Sequence, residues 1–418
     1  MKRKKILILS AFPPWRLGGS SRHVNYEIKY VLNNSNLFGL LIFWPKDHYK
    51  DKQNTSELGL RFFSNNVVAV PLARIKQNLM VRGPLRDLID VVRLSFLLRK
   101  IHKHFKPNII HSHHPLTALA SIIAGNTAKT VLTLHSPYSL DKFTMGDQLL
   151  LSRHRVLMLL RHLFDLVVEL VTYNLVRVII AVSELELSHI EKFRIIKRPI
   201  FIVRNGIDPK PYILSRQSRN LLRQHYKISD DKIVCLFLGR MVRKNGVITI
   251  ARAAKLLHLL KSNSNSDLIH KIMIVMVGDG PDLPFIRKLT GDVPSETFIM
   301  LPALPMEAII GLADIFVSHV SSLVEGFGLT ILEAMAAGVP VVTGFDKIKG
   351  QVFKHCKEIY FIKKDNPVDL LNGLIRLAND LGLRKYIAEN AREKILKEFT
   401  YNVSFGKFFS LMRRLNLL

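Results

Sequence analysis

Two carboxylates, Glu325 and Glu333, stand eight residues apart in the stretch Glu325-Gly326-Phe327-Gly328-Leu329-Thr330-Ile331-Leu332-Glu333-Ala334-Met335-Ala336-Ala337-Gly338. The glycines let backbone N–H groups come close to a ligand. A helix that begins after them turns its positive end toward the loop, which suits a phosphate. Glu325 in the loop and Glu333 one turn into the helix can accept hydrogen bonds from hydroxyls. Phosphate, hydroxyls and close backbone together suggest a sugar nucleotide. Glu333 also has a purely local explanation, because Thr330-x-x-Glu333 spells a capping box. Glu325 before Gly-Phe-Gly has none.

The elements that must hold these residues follow from length and pattern. A chain of 418 residues, 48% hydrophobic, exceeds one ordinary core, so two domains are expected. Short β-branched runs alternate with longer helical patterns. The first series is Lys5–Ser10, Phe38–Phe43, Asn66–Pro71, Asn108–Ser112, Lys129–His135, Val178–Ser183 and Pro199–Arg204. The second is Ile233–Gly239, Lys271–Gly278, Thr297–Leu301, Asp314–Ser318, Val339–Thr343 and Glu358–Ile362. Such runs between helices, as at Gly246–Leu260 and Val368–Asp380, indicate buried parallel strands in doubly wound sheets. Asn205-Gly206-Ile207-Asp208-Pro209 is a turn-rich boundary between the two series. The fold class is therefore α/β, two Rossmann-like domains of about 200 residues each, with ligand expected at strand C-termini in a cleft between them.

Charge narrows the partners. Sixty-one Lys and Arg against thirty-three Asp and Glu give +28, which favours an anionic partner. The stretch Arg74–Lys106 interleaves basic residues with Leu79, Leu85, Leu88, Ile89, Val92, Leu94, Phe96, Leu97 and Leu98, a basic amphipathic pattern. It reads either as a membrane-surface helix or as a solvated face. Aromatics do not alternate with the basic residues, so nucleic acid ranks last. The run Val156–Val182 is interrupted by Arg161, Asp165, Glu169 and Arg177, which argues against a spanning helix. The opening Ile6–Ser10 run is too short for a signal peptide and reads as a buried strand. Cys235 and Cys356 make no disulfide scaffold, and a reducing, cytoplasmic setting is expected.

Several motifs in order resemble the retaining glycosyltransferases of the family-4 type, which have the GT-B architecture. They are Phe12-Pro13-Pro14-Trp15-Arg16-Leu17-Gly18-Gly19, Ile110-His111-Ser112-His113, Thr133-Leu134-His135, Ala181-Val182-Ser183 and Val203-Arg204-Asn205-Gly206-Ile207-Asp208 in the first half. The second half supplies Leu238-Gly239-Arg240, Val277-Gly278-Asp279-Gly280-Pro281, Ala313-Asp314-Ile315-Phe316-Val317 and the glutamate pair. The resemblance implies an acceptor-side domain over 1–207, a nucleotide-sugar domain over 208–398, and a terminal segment 399–418 crossing back to the first. It implies transfer of a hexose from a nucleotide-diphosphate donor, with retention and without metal or other cofactor. The acceptor would be lipid-linked, phosphorylated or a polysaccharide, with peripheral contact to an anionic membrane as a further expectation. A non-catalytic sugar-nucleotide-binding relative and a phosphorylase or disaccharide synthase on the same fold are the alternatives.

By the same resemblance Arg240 binds the diphosphate, Glu325 contacts the donor sugar, and His113 approaches the sugar or helps to place the acceptor. Gly18, Gly19, Lys244, Gly278, Asp279, Gly280, Gly326, Phe327, Gly328 and Leu329 lie around the donor, and Glu333 holds the ribose hydroxyls. His111 is placed on the opposite face of its strand from His113, and His114 and His135 are weaker candidates. The histidine spacing suggests no closed metal site. The chain departs from the family pattern at Asn245, where a lysine is usual, at Lys347-Ile348 and Gln351 in place of Gly-Gly and a glutamate, at Pro302, and at His319-Val320-Ser321-Ser322.

Overall fold

The structure is a computed structural model of the chain and describes residues 3–11, 19–43, 61–64, 67–71, 84–135, 155–191, 195–213, 216–318, 320–321 and 328–418. The Cα packing divides the chain into two compact units. One is Met1–Asn205 with Tyr401–Leu418, and the other is Gly206–Thr400.

The first unit is built on an eight-stranded sheet. Its strands are β1 Lys4–Ser10, β2 Leu37–Phe43, β3 Arg61–Ser64, β4 Val67–Pro71, β5 Ile109–Ser112, β6 Thr130–Leu134, β7 Val178–Ala181 and β8 Ile200–Ile202. The spatial order is β3-β4-β2-β1-β5-β6-β7-β8. All neighbours pair in parallel except β3 with β4, which are antiparallel. The edge strand β3 lies outside the expected series, because four residues give too short a run to show a period. The order reverses at β1, which lies between β2 and β5, and ligands of open α/β sheets bind at such switch points.

Helix α1, Gly19–Leu32, follows β1, and three helices form a layer over buried apolar residues of β1, β2 and β5: α2 Pro84–Phe105, α3 Pro115–Ile123 and α4 Arg155–Leu175. Within the expected amphipathic stretch Arg74–Lys106, the structure places α2 over residues 84–105, and 74–83 lie outside the described residues. After β7 comes α5, Glu184–Glu191.

The second unit has a six-stranded, all-parallel sheet in the order β11-β10-β9-β12-β13-β14. Its strands are β9 Ile233–Leu238, β10 Ile272–Val277, β11 Phe298–Leu301, β12 Ile315–Ser318, β13 Val341–Gly344 and β14 Tyr360–Ile362. The switch point here falls between β9 and β12, which pair Cys235 with Ile315 and Phe237 with Val317. The basic run that opens this unit contains α6, Arg216–His225. Its arginines serve the fold. Asp314 accepts from Arg219 at 2.6 Å and from Arg223 at 2.8 Å, and Arg223 also donates to the carbonyls of Ser229, Asp230 and Lys232. These bonds fix α6 to the start of β12 and occupy part of the positive charge internally.

The remaining helices of the second unit are α7 Val247–Ser262, α8 Asp267–Lys271, α9 Leu283–Leu289, α10 Met306–Ile309, α11 Leu329–Ala336, α12 Lys347–Val352, α13 Pro367–Asn379 and α14 Leu381–Glu398. The last helix, α15 Tyr401–Arg414, belongs to the first unit. It lies along α1, with Tyr30 stacked on Phe409 at 5.2 Å and His23 against Phe405 at 5.0 Å. Ser404 donates to the Arg204 carbonyl at 2.7 Å. Phe405, Phe408 and Phe409 are all buried, so α15 is a core element of that unit. Phe409→Ala should lower the unfolding free energy by about 3–5 kcal/mol, the usual cost of removing a buried aromatic ring. Denaturant melts measure this, and a loss below about 1 kcal/mol would show that the ring is not packed as described.

Candidate active site

Of the residues expected around a donor, Arg240, Lys244 and Gly278–Gly280 lie in the loops that follow β9 and β10 of the second unit. Arg240 follows β9 and is exposed. Its loop is fixed from both sides by backbone. Gly239 N–H donates to the Val277 carbonyl at 3.1 Å and Met241 N–H to the Asp279 carbonyl at 2.9 Å. The loop after β10 lies so close that only glycine fits. A Cβ on Gly278 would stand 1.9 Å from the Gly239 carbonyl oxygen, and one on Gly280 would stand 2.5 Å from that of Met241. Gly278 has a φ of +146°, a conformation that favours glycine. The exposed Asp279 accepts from the Gly280 N–H at 2.7 Å. Gly278, Asp279, Gly280 and Arg240 thus form one rigid backbone assembly.

The turn that follows carries Lys244 and the unusual Asn245. Residues Arg243–Asn245 make one 3₁₀ turn. The buried carboxylate of Asp282 accepts the Arg243 N–H at 2.6 Å. The Asn245 side-chain amide donates to the Arg240 carbonyl at 2.8 Å, so the residue that replaces a lysine closes the arginine's own loop. Lys244 is half-buried beside it. Gly246 has a φ of +80°, and a Cβ there would stand 2.4 Å from the Val320 side chain and 2.9 Å from the Ser321 backbone nitrogen. Val320 and Ser321 follow β12. The Arg240 turn is therefore packed against Val320 and Ser321.

Glu325, Gly326 and Phe327 lie outside the described residues. Gly328 is the N-cap of α11, with no side-chain cap bond, and Leu329 is its first residue. This removes the capping-box explanation of Glu333. With Gly328 at the cap, Thr330 is the second helical residue and Glu333 the fifth, too deep to cap the helix. Glu333 is fully buried in α11.

In the first unit, Gly18 lies outside the described residues and Gly19 opens α1. His113 follows β5 at that sheet's switch point, and its N–H donates to the Leu9 carbonyl at 2.9 Å. His111 does not face away from it. Both rings reach the same carboxylate, that of fully buried Glu27, as the two-residue period of a strand requires. His111 Nδ1 lies 2.6 Å from Glu27 Oε1 and His113 Nε2 lies 2.7 Å from Oε2. A carboxylate only accepts, so both rings donate to it. His111 Nε2 then accepts from the Thr133 hydroxyl at 2.7 Å, and His113 Nδ1 accepts from His135 Nε2 at 3.2 Å. The result is a relay from Glu27 through His113 to His135, a half-buried residue at the end of β6. His114 caps α3, accepting from the Leu116 N–H at 3.2 Å.

Sequence reasoning missed His23 and Glu27. They stand four apart on α1, so both fall on one face of the helix, and that i, i+4 pair was the available signal. His23 packs edge-on against His113 at 5.4 Å and His135 at 4.8 Å. The ligating atoms of His23, His113 and His135 lie within 4.8 Å of one another, as do those of Glu27, His111 and His113, close enough to hold a metal ion. The chain spacing that argued against a metal could not show this.

The electrostatics are those of a buried cluster. Burial pushes Glu27 up, but the His111 and His113 rings overcome it and hold the carboxyl well below its ordinary range. Burial, reinforced by neighbouring histidines, lowers His23 to about 3 and His113 to about 4, and lowers His135 as well. These three imidazoles are neutral at pH 7.

The matches to known families divide along the two units. Residues 218–394 match the family described as Glycosyl transferases group 1, and residues 52–211 match Glycosyltransferase Family 4. The chain is a GT-B glycosyltransferase of the family-4 type. The glycosyltransferase is 23% identical to an uncharacterized glycosyltransferase of Methanocaldococcus jannaschii over 424 residues, covering 99% of this chain and 100% of the relative. It is also 23% identical over 316 residues to the UDP-Gal:alpha-D-GlcNAc-diphosphoundecaprenol alpha-1,3-galactosyltransferase of Escherichia coli, covering 75% of this chain and 77% of that one. Among solved structures, Anabaena HepE in complex with UDP and glucose aligns with a TM-score of 0.70 at 16% identity, covering 99% of this chain and 100% of that one.

Two outcomes test this glycosyltransferase's site geometry. Gly278→Ala should lower activity by on the order of a hundredfold, because a displaced Arg240 loses its preorganised position. Retained activity in steady-state assays would show that the two loops are not coupled. The neutral histidines set a pH dependence. Near pH 6.5 the unfolded chain protonates rings that the folded chain leaves neutral until about pH 4 for His113 and about 3 for His23. Stability contributed by these rings is thus complete above about 6.5 and lost as pH falls from there toward 4. Urea melts across that window should show the decline, and a flat profile would contradict the buried cluster.

Proposed function

We propose that this glycosyltransferase moves a hexose from a nucleotide-diphosphate donor to a lipid-linked, phosphorylated or polysaccharide acceptor, with retention at the anomeric carbon and without a metal. The observation that carries the reading is the assembly at the β9/β12 switch point. There Arg240 is held by the Gly278–Gly280 backbone, and its turn packs on the Val320–Ser321 segment that leads to Glu325. As the bond from C1 to the diphosphate breaks, negative charge grows on the β-phosphate. Arg240 answers it with a permanent charge and forked donors. The N-terminal end of α11, which begins at Leu329, suits the same charge. Glu325 binds the donor sugar, Glu333 the ribose hydroxyls, and Gly326, Phe327 and Gly328 supply close backbone. Gly18, Gly19 and Lys244 complete the proposed donor-binding set.

In the first unit His113 acts through its neighbour. Both of its ring nitrogens are engaged, so its part is to orient His135 toward sugar or acceptor. The Escherichia coli relative, whose printed name gives UDP-Gal and a diphosphoundecaprenol-linked acceptor, supports a nucleotide donor and a lipid-linked acceptor. The UDP and glucose in the HepE structure support the donor class. The place of action is the cytoplasmic side, with the enzyme itself not spanning a bilayer; among the described residues no helix is long and apolar enough to cross one.

A panel of nucleotide sugars tests the reading. One donor should raise the melting point and turn over, and Arg240→Ala should lower kcat by about 10²–10³-fold, with Glu325→Ala also severely impaired. Binding without turnover for every donor would favour the non-catalytic alternative. Unchanged turnover in Arg240→Ala would remove the arginine from the chemistry.

A further inference from the structure

Helix α4 is inside out. A helix on the surface of a water-soluble domain buries its apolar stripe and exposes its charges. In α4 the carboxylates of Asp165 and Glu169 are 0% and 1% exposed, while Leu159 and Val167 are 59% and 56% exposed. The inward charges are satisfied there. Arg161 donates to Asp165 at 3.1 Å and pairs with Asp87 of α2, and Glu169 accepts from the Tyr173 hydroxyl at 2.9 Å. The outward face carries Leu159, Leu160, Leu163, Val167, Val171 and Leu175, all exposed, in a row that advances mainly by four residues. A contiguous apolar row of this length marks contact with an apolar phase or partner.

The neighbouring helix of the same layer continues the pattern. Leu85, Leu88, Val92 and Phe96 are exposed on α2, and the same face runs on into Arg99 and Lys103, flanked by Arg93 and Lys100. Arg99 stands 5.8 Å from the Phe96 ring and donates to the Ile123 carbonyl at 3.0 Å. Apolar rows bordered by cations are the chemistry of an interfacial anchor that rests among acyl chains and phosphate headgroups. A second copy of a chain carrying +28 would bring like charges together at this rim.

We infer that the outward faces of α4 and α2 form a docking surface for an anionic lipid bilayer, with α4 entering the headgroup boundary and the α2 cations holding lipid phosphates. This places the lipid-linked acceptor of the proposed reaction at a defined side of the first unit, and it rests on that reading only for the acceptor. The surface itself can be tested with no sugar nucleotide present, so failure of the transfer assay leaves the result intact.

The experiment is flotation of the full chain with two vesicle types, one of phosphatidylcholine alone and one of phosphatidylcholine mixed with phosphatidylglycerol. The wild type should float with the anionic vesicles. Leu163→Glu with Val167→Glu should partition at least tenfold more weakly. Both positions are exposed, and an unchanged melting curve shows that the variant is folded. Lys100→Glu with Lys103→Glu should lose the preference for phosphatidylglycerol. Wild type that stays with neither vesicle at low salt overturns the proposal, as does the Leu163/Val167 variant floating like wild type. A concentration-dependent dimer seen by light scattering, abolished by the same variant and accompanied by no flotation, would assign the face to a second copy and overturn the lipid surface.

Discussion

A carbonyl oxygen sits where a side chain would have to begin. The Gly239 oxygen lies 1.9 Å from the Cβ position of Gly278, and the geometry of the loops after β9 and β10 depends on that approach. Arg240 is the next residue, so its Cα is positioned by two loops at once and not by its own turn alone. Asn245 and Gly246 extend the same constraint, one by a bond to the Arg240 carbonyl and the other by admitting Val320 and Ser321. Backbone contacts from two loops thus fix the Cα from which an exposed guanidinium projects. Preorganisation of this kind lets a cation act on developing charge with little reorganisation.

The first unit solves the opposite problem. Its reactive groups are enclosed, and Glu27 is the hub. One buried carboxylate with two oxygens fixes the tautomers of two histidines, and the second histidine fixes that of a third. Phe405 of α15 packs at a tilt against His23, Phe408 stacks on His111, and the two complete the shell. Such a network is specific only when every member is satisfied, which explains why residues from α1, β5, β6 and the far end of the chain all meet there.

Much of this was legible in the sequence, for a simple reason. Parallel strands covered on both sides must be continuous apolar runs, and β1, β9, β10 and β12 are such runs. Arg240 and the Gly-Asp-Gly loop were singled out by family resemblance, and the structure places each directly after such a strand. The Glu27–His111–His113–His135 relay was not, because its members are brought together by β-strand order, which no local spacing encodes. The opposite-face placement of His111 misapplied the strand period. The run Val156–Val182 held a further signal that was read too coarsely. Arg161, Asp165 and Glu169 interrupt it at intervals of four, and so mark one helix face. Counted as interruptions they argue against a spanning helix. Placed on a helical wheel they show which side of α4 turns inward.

The ownership of α15 has a consequence for biosynthesis. The first unit's own strands emerge from the ribosome early, yet three of its buried phenylalanines are encoded after the whole of Gly206–Thr400. Until translation passes residue 409, the rings of His23, His111 and Tyr30 lack the aromatic layer that covers them. The second unit is contiguous in the chain and can close while the first still waits. The first unit can therefore complete its core only after the second has been synthesised.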